Sequence, residues 1–471
     1  MRLLPLLVAG IVAATVGNAP ADEIRLAPED RTALAVTVYQ GGIAFVEDRR
    51  SARLDAGPAH LAFEGVAPRM IADSAAATVA EARVSALDYD FDVLLPATLL
   101  RASVGREVGV VRTHPTTGED TVERATVLAA EKGVVLRYRD RIETGVPGRL
   151  VFDQLPPGAR PSPTLVATVT ADTAGERPVG LRYVTEGLAW RADYVVTLDK
   201  DMKSLNLAGR AMLTNTSGVE YDGARLALVA GDIRRVSSAR ADAPKAAMAM
   251  RAMAEAAPAS MPVRDVLGDV HLYAVDGTVT LADRQTKQIA LLSAAAVPVI
   301  RDYVSEAASP VFGPARGEPV PTHPEVRLRF ENNRRTGPGE PLPAGVARIF
   351  LPDAKGVLRL LGEDRVRHTP VDGRVELSPG RAFDITVTRR QTDFVRSGLP
   401  RNVFESAHAI EIANARGEPV VVRVIDIIPG DWRILEESAG HDSPVADRAE
   451  WRITVPASGK ENLTYRVRVQ R

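Results

Sequence analysis

Cysteine is missing from all 471 residues. Its absence removes disulfides, thiolate zinc sites, iron–sulfur clusters and cysteine nucleophiles together. Neither sign of charge is in excess: 59 Lys and Arg face 60 Asp and Glu, a formal net charge of −1. That balance speaks against a nucleic-acid binder working through a global basic field. Aromatic residues make up only 5%, and no basic stretch interleaves with them as a nucleic-acid platform would. The familiar catalytic signatures are also missing. There is no phosphate-binding P-loop, no H-E-x-x-H, no G-x-S-x-G and no G-x-G-x-x-G. None of His60, His114, His271, His323, His368, His408 and His441 lies within four residues of another, so no local zinc-like pair exists.

What is present is ordinary globular composition, 45% hydrophobic and 25% charged, which excludes wholesale disorder. The one long apolar run sits at the start. Met1-Arg2 is basic, residues 3–16 are apolar apart from Pro5, Gly10 and Thr15, and Ala19-Pro20-Ala21 precedes acidic Asp22-Glu23. This reads as a secretory signal peptide over residues 1–21, cut after Ala21. It is shorter than the about 20 apolar residues a membrane helix needs. The expectation is a periplasmic or otherwise exported protein, soluble once the signal is removed and without a transmembrane anchor.

The remaining pattern is β. Residues 35–39 and 43–47 flank Gly41-Gly42 as a hairpin. Residues 96–104 read as one short helix, Pro96 at its start and Gly105 at its end. Residues 107–112, 121–128, 134–138 and 149–152 read as four short strands of a small barrel or sandwich. Pro156-Pro157-Gly158, Pro161 and Pro163 punctuate the chain. They separate an N-terminal β domain, 33–155, from a C-terminal β-sandwich region, 164–471. Within the latter, residues 237–262 form a low-complexity Ala/Met/Pro-rich insertion, and 309–324 a Pro/Gly-rich loop. The fold class expected is all-β: two or more sandwich or small-barrel units with one short helix. No strict repeat of 20–50 residues emerges.

Three groups could carry chemistry. Asp88, Asp90 and Asp92 alternate with Tyr89 and Phe91, so a strand puts the three carboxylates on one face. Oxygens so placed suit calcium, although Val93 and Leu99 occupy positions where an EF-hand loop needs Gly and Glu. A solvated face paired with arginines is the plainer expectation. Met248, Met250 and Met253 form a thioether cluster of the kind that selects Cu(I); a linker or docking segment is the plainer expectation. Among the tryptophans, Trp190 and Trp451 sit at strands and are expected in the core. Trp432, after Pro429-Gly430-Asp431, looks loop-like and is the expected ligand or partner surface. His441-Asp442-Ser443 is read as an exposed loop, since adjacent residues cannot easily face one another as a triad.

Longer segments then add up. Gly187-Leu188-Ala189-Trp190-Arg191-Ala192-Asp193-Tyr194, Leu213-Thr214-Asn215-Thr216-Ser217-Gly218 and Ala224-Arg225-Leu226-Ala227-Leu228-Val229-Ala230-Gly231-Asp232 resemble the bacterial domain-of-unknown-function 4139 family. That family is related to mucoidy-inhibitor A proteins. His271-Leu272-Tyr273, residues 280–287, the ending 463–469, and the leading Val38-Tyr39-Gln40-Gly41-Gly42 and Tyr89-Asp90-Phe91-Asp92 extend the resemblance. It implies an exported, β-rich envelope protein and brings no catalytic residue. The function expected is non-enzymatic binding or scaffolding of an envelope protein or polysaccharide, without a cofactor and without nucleic acid. The alternatives are a carbohydrate-active hydrolase using paired carboxylates, or a calcium or Cu(I) binder.

Overall fold

A computed structural model describes residues 23–90, 96–131, 133–146, 148–154, 160, 162–231, 263–267, 270–397 and 403–470. It is 65% strand and 3% helix, which establishes the all-β class. Among the described residues, the α-helix is Pro96–Ala102. The predicted hairpin forms from Arg31–Tyr39 and Ile43–Leu54, turned by Gly42 at a φ of 81°, a conformation glycine adopts without steric cost. Among the described residues, no helix is long and apolar enough to cross a membrane.

The chain divides into two units. The first comprises Met1–Ala189, Thr214–Ala227 and Gly277–Thr286. One of its sheets runs in the order Glu23–Leu26, Gly57–Glu64, Thr164–Ala171, Ala82–Asp90. A second contains Arg31–Tyr39, Ile43–Leu54, Gly175–Glu186 and Ala76–Val79 in that order. Arg50 ties the two together. Its guanidinium is fully buried and reaches the carbonyls of Leu26 and Glu64 on the first sheet. A five-stranded sheet of Glu107–Thr113, Asp120–Ala129, Val135–Arg137, Ile142–Thr144 and Arg149–Val151 closes over its own core. Leu100, Val108, Val110, Val127 and Leu136 form that core. The sequence reading gives four of these strands; Ile142–Thr144 is a fifth that it did not include.

The second unit comprises Trp190–Leu213, Leu228–Asp276 and Lys287–Arg471. Its five-stranded sheet runs Thr286–Pro298, Ser204–Asn215, Leu188–Leu198, Gly345–Pro352, Leu358–Val366. A six-stranded sheet runs Arg374–Arg381, Glu325–Glu331, Ile300–Ala307, Val420–Ile427, Arg448–Val455, Asp442–Val445. A four-stranded sheet runs Ile385–Ser397, Val403–Asn414, Gly459–Gln470, Asp431–Glu437. The last two make a sandwich. Val422, Val424 and Trp451 from one share a core with Ile410, Ile412, Leu463 and Val467 from the other. The strand Val403–Asn414 shows why these residues choose β. Buried and half-buried positions alternate along its whole length, the period-two pattern of a strand with one face in a core. Each fully buried aliphatic side chain contributes about 1.5–3 kcal/mol.

Candidate functional site

The acidic run is a strand where it is described. Ala82–Asp90 pairs with Thr164–Ala171, setting Asp88 opposite Val166, Tyr89 opposite Leu165 and Asp90 opposite Thr164. Asp88 is exposed and Tyr89 half-buried. The Tyr89 hydroxyl donates to the Ala67 carbonyl at 2.8 Å, and burial raises its pKa well above the ordinary value. Asp92 and the Asp90 side chain lie outside the described residues. Met248, Met250 and Met253 also lie outside them. Among the described residues, no three His, Asp or Glu side chains gather as a metal site would require.

Trp432 is not on a loop. It sits on the strand Asp431–Glu437, opposite Val469, half-buried against the sandwich core. Its Nε1 donates to the Ala446 carbonyl at 2.8 Å. The Pro429-Gly430 turn misleads because it is so short that a new strand, in the four-stranded sheet, begins at once. Gly430 has a φ of 95°, and a Cβ there would meet the Gln470 carbonyl at 2.9 Å.

Trp432 ends a column of rings through the sandwich. Its ring lies 5.8 Å from His441, His441 5.9 Å from Trp451, Trp451 4.7 Å from Tyr465, and Tyr465 5.0 Å from His408. One carboxylate oxygen, Glu437 Oε2, accepts from Trp451 Nε1 at 2.9 Å and sits 2.9 Å from His441 Nδ1. His441 therefore partners Glu437. Ser443 Oγ donates instead to the Arg448 carbonyl at 3.2 Å, so His441-Asp442-Ser443 is no triad. His441 itself is half-buried between the two tryptophans, which the loop expectation did not foresee.

At the far end of the column lies a buried polar network that the sequence reading missed. Asp426 is fully buried. Its Oδ1 accepts from Ser309 Oγ at 3.0 Å and from the Arg389 guanidinium, and its Oδ2 from the Tyr465 hydroxyl. Arg389 Nη2 also donates to the Ser305 carbonyl at 2.8 Å. Burial pushes the Tyr465 pKa far up, and the Asp426 charge adds to the effect. His408 Nε2 lies 2.8 Å from Ser406 Oγ, which accepts from Gln391 Nε2 at 2.8 Å. Burial lowers the His408 pKa to about 4, Asp426 opposing and Arg389 reinforcing the shift. A cavity of about 320 Å³ borders His408 and Tyr465, with Thr392, Glu436, Glu437 and Arg466 on its walls.

Ser406 and His408 have the contact of a nucleophile and its base. Both are buried, however, and Asp426, the nearby acid, is bonded to Tyr465 and Arg389. A network whose members are each satisfied by another protein group rigidifies a core.

Among curated proteins, none matches the chain. The family model for "Domain of unknown function (DUF4139)" matches residues 179–470, which include the whole ring column and the Asp426 network. With more than half its length matched, the chain belongs to the DUF4139 family.

Proposed function

We infer that this is an exported cell-envelope protein whose work is association: a non-enzymatic binding or scaffolding protein. The observation that carries the reading is the hairpin Gly345–Pro352/Leu358–Val366, inside the family-matched region. Its second strand ends the five-stranded sheet and exposes Leu358 by 51%, Leu360 by 54% and Leu361 by 40%. Clustered apolar side chains left in water mark a contact surface. The contrast with Asp426, Tyr465 and His408, all committed inside the sandwich, supports a molecule that is rigid within and adhesive outside. The envelope address is supported by the signal-like pattern of residues 1–21.

The test is photo-crosslinking in living cells, with a photoreactive amino acid at Leu358 and, as control, at Val421, exposed on the six-stranded sheet. A discrete adduct from Leu358 alone, identified as an envelope protein or a second copy of the chain, is expected. No adduct, or equal adducts from both positions, would contradict the reading.

A further inference from the structure

We propose that residues 314–322 are a latched strap over a strand-accepting edge of the sandwich, and that this edge receives an extended segment of a partner protein when the strap swings away. The contact is separate from the leucine face and goes beyond it.

Two strand pairs show what the edge accepts. Leu188–Leu198 with Ser204–Asn215, and Ile385–Ser397 with Val403–Asn414, are built alike. The Thr216 N–H donates to the Gly187 carbonyl at 2.6 Å and the Ala415 N–H to the Asp384 carbonyl at 2.9 Å. Counted from those bonds, Ala192 and Tyr194 stand where Arg389 and Gln391 stand. In the first pair a parallel strand, Gly345–Pro352, lies along the outer edge from Ala192 to Thr197. In the second, Ile385–Ser397 ends its sheet, and the strap lies there instead. Thr322 and Val387 exchange backbone hydrogen bonds at 2.9 and 2.8 Å. The backbone of Arg389, two residues on, points outward by the same alternation. Pro321 and Pro319 have no N–H to give it. Among the described residues, no backbone hydrogen bond joins 316–321 to the strand. Past Gln391 a bulge at Thr392 breaks the edge, so the accepting stretch is Val387 to Gln391.

The latch is polar. Gln391 Nε2 donates to the Pro310 and Gly313 carbonyls at 2.8 and 3.1 Å, and its Oε1 accepts from the Ala315 N–H at 2.5 Å. Ser406 Oγ donates to the Pro310 carbonyl at 3.3 Å, and Ser309 is held by Asp426. Val311 and Phe312 pack in the sandwich core and anchor the near end. At the far end His323 Nδ1 lies 3.0 Å from the Ala382 and Ile385 carbonyls. Only the part between is left to swing, held by Gln391 and Thr322. In the first strand pair Leu207 and Gly209 stand where Ser406 and His408 stand, and Ala192 where Arg389 stands. The same unit thus folds without these polar groups, and they occur where the strap is. Covering an edge with a loop prevents strand addition. A cover fastened by hydrogen bonds, each worth about 0.5–1.5 kcal/mol net, is one that a competing strand can replace. The covered pair also gives the partner's chemistry. A Cβ on Gly345 would meet the Ala192 carbonyl at 2.2 Å, and Ala347 and Ile349 are buried in alternation. The partner segment is extended, starts on a small residue and alternates small and aliphatic side chains inward.

The probe is a labelled synthetic peptide of residues 344–352, the strand that covers the first pair, added to the purified full chain. Gln391→Ala should bind it at least tenfold more tightly than the natural sequence. A peptide carrying Ala347→Pro and Ile349→Pro should not bind. A lock controls for loosened folding. The chain lacks cysteine, and opposed residues such as Thr322 and Val387 have Cα atoms about 5.5 Å apart, within disulfide range. Thr322→Cys with Val387→Cys, added to Gln391→Ala, should lose the peptide on oxidation and regain it on reduction. A Gln391→Ala chain that binds no peptide, or binding that ignores the lock, overturns the proposal. Crosslinking from Leu358 is read separately, so the association reading stands or falls without it.

Discussion

Asn215 and Asn414 end different strands and make the same turn. Each is buried. Each donates from Nδ2 to the carbonyl four residues on, Val219 or Glu418, at 2.8 Å. Each accepts at Oδ1 from the N–H two residues on, Ser217 or Arg416, at 3.0 Å. The neighbourhood repeats as well. Asn215 is followed by Gly218 and Gly231-Asp232, and Asn414 by Gly417 and Gly430-Asp431, at identical spacing. Thr286–Pro298, Ser204–Asn215 and Leu188–Leu198 lie side by side in the order repeated by Gly459–Gln470, Val403–Asn414 and Ile385–Ser397. Arg284 and Ser458, just before the first strand of each trio, both take positive φ. The chain thus carries one strand–turn–strand unit twice. Two copies so far apart escape a search for tandem repeats.

Asn414→Ala should destabilise the sandwich. The carbonyls of Glu418 and Pro456 would lose their donor, at about 1–3 kcal/mol for a buried group left unpaired. Asn414→Asp restores the acceptor but not the donors, so it should rescue little. Urea midpoints for the two variants check this; a full rescue by Asp would show that the acceptor alone matters.

Asp48 and Arg50 form a buried pair on one strand, with contacts of 3.1 and 2.7 Å. Arg31 Nε adds a third contact to Asp48 at 3.0 Å. Breaking a buried pair from one side leaves a charge without a partner and typically costs about 3–5 kcal/mol. Asp48→Asn and Arg50→Met should each lower stability by that order. Asp48→Leu with Arg50→Met should cost less than either alone. Denaturation of the three variants decides it.

His408 makes stability depend on pH. Its folded pKa of about 4 lies below the ordinary 6.5, so between those values the unfolded chain binds the extra proton. Stability from this residue is complete above about pH 6.5 and is lost as pH falls toward 4, by up to about 3 kcal/mol. His408→Phe keeps a ring on Tyr465 and removes the titration. Urea midpoints from pH 7 to pH 4 should therefore fall less steeply for the variant; equal slopes would contradict the assignment.

Much of this was legible. Asp48 and Arg50 share the period-two phase of Val46, Ala52 and Leu54, all buried, so the alternation already marks two inward charges. Asp426 likewise follows Val422 and Val424 and precedes Ile428, all buried. Their partners were not legible. Arg389, Ser309 and Tyr465 reach Asp426 from separate strands and a loop, and only tertiary pairing brings them together. Trp432 was misplaced because Pro429-Gly430 signals a loop, whereas a new strand begins at Asp431. The leucine face was hidden by a bulge, with Leu361 the extra residue: a one-residue shift in pairing reverses which side chains face out, and no local pattern announces it.

The central claim is association through Leu358, Leu360 and Leu361. The most direct measurement is the mass of the particle the chain forms in its own cells, compared with a Leu358→Ser, Leu360→Ser, Leu361→Ser variant of equal thermal midpoint. The account predicts a particle heavier than the lone signal-cleaved chain for the natural sequence, and the lone chain for the variant. The same particle from both, or a lone chain from both, would contradict it.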